Sequence, residues 1–124
     1  MGDVGAHYNL SNMYRNGQGV EKDEKKEIYH LEVAAIGGHP DARCNLACYE
    51  GINERYERAV KHWIIAANHG HDDSIQALKQ YYVHGFVSKD DFAAALRAHQ
   101  AAVDATKSPH REAVARAEAA EEFR

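Results

Sequence analysis

Residues Ala34 to Ala42 read AAIGGHPDA, and residues Ala66 to Ser74 read AANHGHDDS. Two alanines, a glycine, a histidine and an aspartate return in the same order. Self-similarity at a short fixed period marks an array in which each supersecondary unit cannot bury its apolar face alone and must cover it with its neighbour. This joint restricts the fold more than any single motif, because a repeat array and a compact catalytic domain distribute their chemistry differently.

The segments between the joints read as helices. Sustained apolar–polar alternation is absent, and Ala, Leu, Glu, Lys and Arg dominate between glycines. Gly17 and Gly19, Gly37 and Gly38, Gly51, Gly70 and Gly85 divide the periodic stretches, where left-handed backbone or a helix stop is expected. Three helix–turn–helix units result, over residues 6–39, 42–71 and 74–103. Leu10, Leu46 and Leu78 align in the first helices, and the pairs Ala34–Ala35, Ala66–Ala67 and Ala101–Ala102 align in the second. The large residue fills the space between helices while the alanines let a neighbouring helix approach closely. Tyr14, Tyr49, Tyr81 and Tyr82 close the first helices, and Tyr29 and Trp63 are expected to share a place in the second.

Asp23, Asp41, Asp72 and Ser88 stand where a side-chain oxygen accepts from the free amides of a helix start, and Asp91 completes a capping-box pattern with Ser88. The repeat domain is expected to span residues 1–104. After it, Ser108 before Pro109 reads as a fresh helix start, so 105–124 is expected to be a C-terminal capping helix or a frayed tail.

With 124 residues, 44 % hydrophobic and 27 % charged, the chain suits one ordered domain. A formal charge of −4 argues against general attraction to nucleic acid. No apolar run approaches the roughly 20 residues of a membrane helix, and MGDVGAHYNL lacks the features of a secretory signal, so a cytoplasmic protein is expected. Cys44 and Cys48, four apart on one helix, are expected to be free thiols.

The stretch YNLSNMYRNGQGVEKDEKKEIYHLEVAAIGGH resembles the Sel1-like repeat family, relatives of the tetratricopeptide repeats. The resemblance is carried by Ala6, Leu10, Tyr14, Gly17, Gly19, Val20, Asp23, Lys26, Tyr29, Ala34, Ala35 and Gly38. Ser11 and Glu27 stand where the family favours Gly and Ala, and Ala47 and Lys79 take the glycine place in the later units. The resemblance implies an all-α, right-handed superhelix of about three repeats plus a C-terminal helix, with a concave face of first helices that binds polypeptides. It also implies a remote alternative, a beta-lactamase-like hydrolase whose units carry a cysteine bridge, which the placing of Cys44 and Cys48 on one helix disfavours.

Nine histidines form no metal-ligand spacing, and no second pair of ligands accompanies the two cysteines; neither a metal nor a cofactor is expected. The sequence also shows no recognisable Ser–His–Asp pattern and no phosphate loop. Counting two residues either side of the core leucines places Tyr8 and Asn12, Cys44 and Cys48, and Gln76 and Gln80 on another helix face, with Arg15 and His84 a turn further on. These eight residues are the expected docking row for an extended peptide, with Tyr8 as the amphipathic anchor. The expected function is therefore a non-enzymatic protein-interaction module or adaptor. The alternative is a structural solenoid that stacks with copies of itself.

Overall fold

The structure, a computed structural model, describes residues 3–122, leaving aside the side chains of 107–112 and 121–122. The described residues form six helices and no strand: α1 (Val4–Asn16), α2 (Glu24–Ile36), α3 (Pro40–Ile52), α4 (Tyr56–Asn68), α5 (Asp72–Val83) and α6 (Lys89–Glu122). Consecutive pairs make three hairpins. Each hairpin then meets the next through α2 against α3 and α4 against α5, while α6 packs on both α4 and α5. This is an all-α helical-repeat solenoid.

Local chemistry sets the helix limits. Asp3 and Asp23 accept from the amides of Gly5 and Lys26 at 3.0 and 3.1 Å, and Ser88 Oγ accepts from Asp91 at 3.1 Å. Asp41 and Asp72, expected as caps, lie inside the first turns of α3 and α5 instead. The caps are His39 and His71, whose Nδ1 atoms accept from Ala42 and Ser74 amides at 3.2 Å each. An imidazole supplies an acceptor as readily as a carboxylate when its other nitrogen carries the proton. Gly17 closes α1 at φ 69°, whereas Gly51 lies within α3. A Cβ on Gly51 would stand 2.6 Å from the Tyr81 hydroxyl, so this glycine serves close approach of α5, and the left-handed place in its loop falls to Glu54 at φ 63°.

Two apolar clusters share α3. The first joins Leu31, Ala34 and Ala35 of α2 to Ala42 and Leu46 of α3, with Val4, Tyr8 and Ile28 against it. The second joins Ala47 of α3 to Ala59, Trp63 and Ala67 of α4, Ile75 and Leu78 of α5, Val87, and Ala95 of α6. Leu46 and Leu78 are buried as expected, but Leu10 is only half-buried. The core leucine covers the preceding hairpin, and none precedes α1 among the described residues. The mirror effect acts at the other end: Ala34, Ala35, Ala66 and Ala67 are buried, while Ala101 is exposed and Ala102 half-buried. Those pairs are covered by the hairpin that follows.

Two further expectations change. Trp63 is in the core and Tyr29 is 57 % exposed, so they do not share a place; counting back from the alanine pairs, Trp63 corresponds to the buried Leu31. The helix start expected at Ser108–Pro109 is absent, since α6 continues through both, and the described side chains of 113–120 are exposed. Ser11 is fully buried, its hydroxyl donating to the Tyr8 carbonyl at 2.6 Å, and matches buried Ala47 one hairpin later. Small size at this place is what close helix approach requires.

Leu78→Ala empties a fully buried site between the second and third hairpins. A loss of about 2–5 kcal/mol in unfolding free energy by urea titration is expected.

Candidate functional site

One groove, about 470 Å³, has α2 as one wall, α3 as its floor and α4 as the other wall. Its apolar lining includes Ile28, Ile36 and Leu46, and its charged lining is Glu32, Arg43, Glu50, Arg55 and Arg58 with His62. Two smaller concavities adjoin it and share Arg43, bringing in Lys61, Ile65 and His69.

Arg43 anchors the groove. Its Nη2 donates to the Ala35 carbonyl at 3.1 Å and its Nη1 lies 3.4 Å from His62 Nδ1. The C-terminal end of α2, which carries negative partial charge, is thereby tied to α4 through a cation. At the opposite end Glu50 pairs with Arg55 at 3.3 Å and Arg58 at 3.8 Å, and the Tyr49 hydroxyl donates to Glu24. Burial, and after it the Arg43 guanidinium, hold His62 below the ordinary imidazole value. The groove's charge at neutral pH therefore comes from arginine and lysine: Arg43, Arg55, Arg58 and Lys61 against Glu32 and Glu50.

The eight residues of the expected docking row are not gathered around one cavity. Tyr8 is half-buried against the first cluster and stacks on the capping His39, ring centroids 4.3 Å apart. Cys44 is half-buried against the second cluster, and both Tyr8 and Cys44 thus face the following hairpin. Asn12 is half-buried, and Arg15 pairs with Glu27 of α2 at 2.8 Å. Cys48, Gln76, Gln80 and His84 are exposed, with His84 Nδ1 bonded to the Gln80 carbonyl at 2.8 Å. None of the eight lines the groove between α2 and α4 or the two concavities beside it.

Sequence reasoning missed the groove because its walls come from separate hairpins. A signal was present: Arg58, Lys61, His62 and Ile65 have the spacing of one helix face.

The fold also assembles a Ser–His–Asp line that the sequence does not display. Asp41 Oδ1 lies 2.7 Å from His71 Nε2, and His71 Nδ1 lies 2.8 Å from Ser74 Oγ. Its geometry serves capping. Ser74 is fully buried, and His71 Nδ1 already accepts the Ser74 amide, which leaves Nε2 to donate to Asp41. A second Asp–His pair, Asp72 with His99 inside α6 at 2.7 Å, ties α5 to α6 without repeating the cap. Among the described residues no group of three or more His, Cys, Asp or Glu side chains could hold a metal ion, and no helix is long and apolar enough to cross a membrane.

Stacked helical hairpins with joint residues recurring at each seam define the class of α-helical repeat proteins. The Sel1 repeat model matches residues 4–39 and 40–71, more than half of the chain, and the protein belongs to that family. The third hairpin lies outside the match and joins the array by its fold. No curated protein and no solved structure matches the chain. Sel1 repeats are in general protein-interaction modules.

Two histidines give a pH dependence whose sign is set. His30, 2.9 Å from His7 between Nδ1 atoms, is lowered by burial first, then by His7 and Lys26; His62 is lowered by burial and Arg43. The unfolded chain takes up these protons first, so the stability they contribute is complete above the ordinary value of 6.5 and is lost as pH falls through it towards the lower folded values. Urea midpoints measured from about pH 7 to about pH 5 are expected to decline less in a His30→Gln, His62→Gln variant than in the parent.

Proposed function

We propose that this chain is a non-enzymatic interaction module that docks an acidic, partly aliphatic segment of a partner protein in the groove between α2 and α4. The observation that carries this reading is the concentration of Arg43, Arg55, Arg58 and Lys61 around one groove in a chain whose formal charge is −4. Arginine forks favour carboxylates, and an apolar lining of Ile28 and Ile36 on the α2 wall with Leu46 on the floor gives an aliphatic side chain a place out of water. Ile36 is 82 % exposed beside these cations, so covering it adds apolar burial to charge pairing. Contact charges of this kind chiefly set specificity and association rate.

A displayed library of random linear peptides, selected on the full chain, tests the proposal. Enriched peptides are expected to combine Asp or Glu with Leu, Ile or Val, and to bind an Arg58→Glu, Lys61→Glu variant at least about tenfold more weakly by fluorescence polarisation, about 1.4 kcal/mol. Arg58 and Lys61 are exposed, so the reversal leaves the core intact. Peptides that bind this variant undiminished but lose affinity with Asn12→Ala, Gln76→Ala and Gln80→Ala would move the site to the first-helix row. A light-scattering mass that rises with concentration, unaffected by peptide, would favour stacking of copies instead.

A further inference from the structure

An aromatic ladder runs from the core to the surface at the end of the groove that carries Arg55 and Arg58. Trp63, in the second cluster, meets Tyr81 edge to face with ring centroids 4.5 Å apart, and Tyr81 in turn meets Tyr56 at 5.9 Å and Phe86 at 5.7 Å. The rings of Tyr56 and Phe86 lie 4.5 Å apart, tilted by 32°. Phe86 belongs to the loop between α5 and α6. Gly85 turns that loop at φ 84°, the Phe86 amide donates to the Tyr81 carbonyl at 2.9 Å, and Val87 is buried in the second cluster. Phe86 is thus held from both sides while its side chain stays 51 % exposed. A fixed ring of this kind loses little conformational freedom when another ring covers it.

Tyr56 and Phe86 line a hollow of about 450 Å³ together with Glu54, Arg55, Glu57 and Arg58. Arg55 and Arg58 also line the groove between α2 and α4, so the two concavities share a rim. We propose that the hollow is a second subsite of the same interface, which takes a tyrosine or tryptophan side chain of the partner segment whose acidic and aliphatic residues occupy the groove. Phe86 is then a specificity-determining residue. This rests on the groove reading and adds to it an aromatic residue and its place.

The lining selects the class of side chain. Two accessible rings favour a third ring, stacked or edge on, over an aliphatic side chain. Two guanidiniums against two carboxylates leave no net attraction for a lysine or arginine, so the ring is neutral. Glu54 and Glu57 are exposed acceptors at its edge, and a phenol hydroxyl or an indole N–H brings the donor that phenylalanine lacks. The helix sets the spacing. Arg55 and Arg58 stand one turn apart, about 5 Å along α4, which an extended segment crosses in about two residues. The aromatic residue therefore falls about two to four residues from the acidic one. Phe86 lies beyond residues 4–71 that the repeat model matches, so this contact is one that the third hairpin adds to the array.

Peptides selected on the full chain test this. Enriched sequences are expected to carry Tyr or Trp about two to four residues from Asp or Glu. Replacing that aromatic residue by Ala in the peptide should weaken binding to the parent at least about fivefold by fluorescence polarisation, and binding to Phe86→Ala less than about twofold. Phe86→Leu, which keeps apolar packing on Tyr81, should fall between the two. N-acetyl-tryptophanamide is an independent probe: titrated into the parent, it should shift the backbone amide resonances of residues 54–58 and 85–87, and Phe86→Ala should abolish those shifts. Acidic and aliphatic peptides with no aromatic preference, Lys or Arg enriched at that place, an aromatic contribution undiminished in both Phe86 variants, or probe shifts outside both segments would overturn the subsite and leave the groove reading standing. Peptides indifferent to Arg58→Glu, Lys61→Glu that still lose the aromatic contribution in both Phe86 variants would keep the subsite and overturn the groove reading.

Discussion

α3 has two faces to bury, and the rest of the molecule follows from that. Ala42 and Leu46 point into the cluster built on α2, while Ala47 and Cys44 point into the cluster built on α4 and α5. A helix with two apolar faces cannot be satisfied by its own hairpin partner alone, so it recruits hairpins on either side. Small residues set how near they come: buried Ala34, Ala35, Ala42, Ala47, Ala59, Ala66 and Ala67, with Ser11, leave room for backbones to approach where branched side chains would hold them apart. The size of Leu31, Trp63 and Leu78 then fills what remains.

The groove is a consequence of this stacking. α3 lies between two second helices, so α2 and α4 become walls, and the side of α3 that neither covers becomes a floor carrying Arg43. Arg43 is half-buried yet satisfied, because the Ala35 carbonyl at the end of α2 accepts from it. Glu50 orders Arg55 and Arg58 in the same way at the other end. These pairs are partly exposed and contribute little to stability. Their effect is to hold cations in a fixed arrangement beside exposed aliphatic surface, which is the combination an acidic and aliphatic segment requires.

The repeat, its helical content and its main landmarks were legible in the sequence because they are local: alanine pairs, core leucines, Asp23 and Ser88 caps, and glycines at positive φ all act within one or two turns. What depends on neighbours was not. Leu10 and Ala101 carry the repeat's pattern but lie at the two ends of the described array, where no hairpin covers them. Trp63 aligns with Leu31 rather than Tyr29, since each lies seven residues past the start of its helix and three before the alanine pair, and matching aromatic to aromatic misplaces it. His39 and His71 displaced the expected aspartate caps, freeing Asp41 to reach His71 across a seam. The candidate groove was least legible of all, since its residues come from three helices and meet only after stacking, while Tyr8 and Cys44, drawn into the seams, are polar or small enough to have passed for surface.

Hydrogen exchange read by mass spectrometry on Leu31→Ala tests the serial stacking most directly, because Leu31 belongs to the first cluster alone. In an array held by nearest-neighbour seams, exchange accelerates in α1, α2 and the first half of α3, while α5 and the start of α6 keep their protection. Acceleration by a common factor in every helix would show a single closed core and contradict the account.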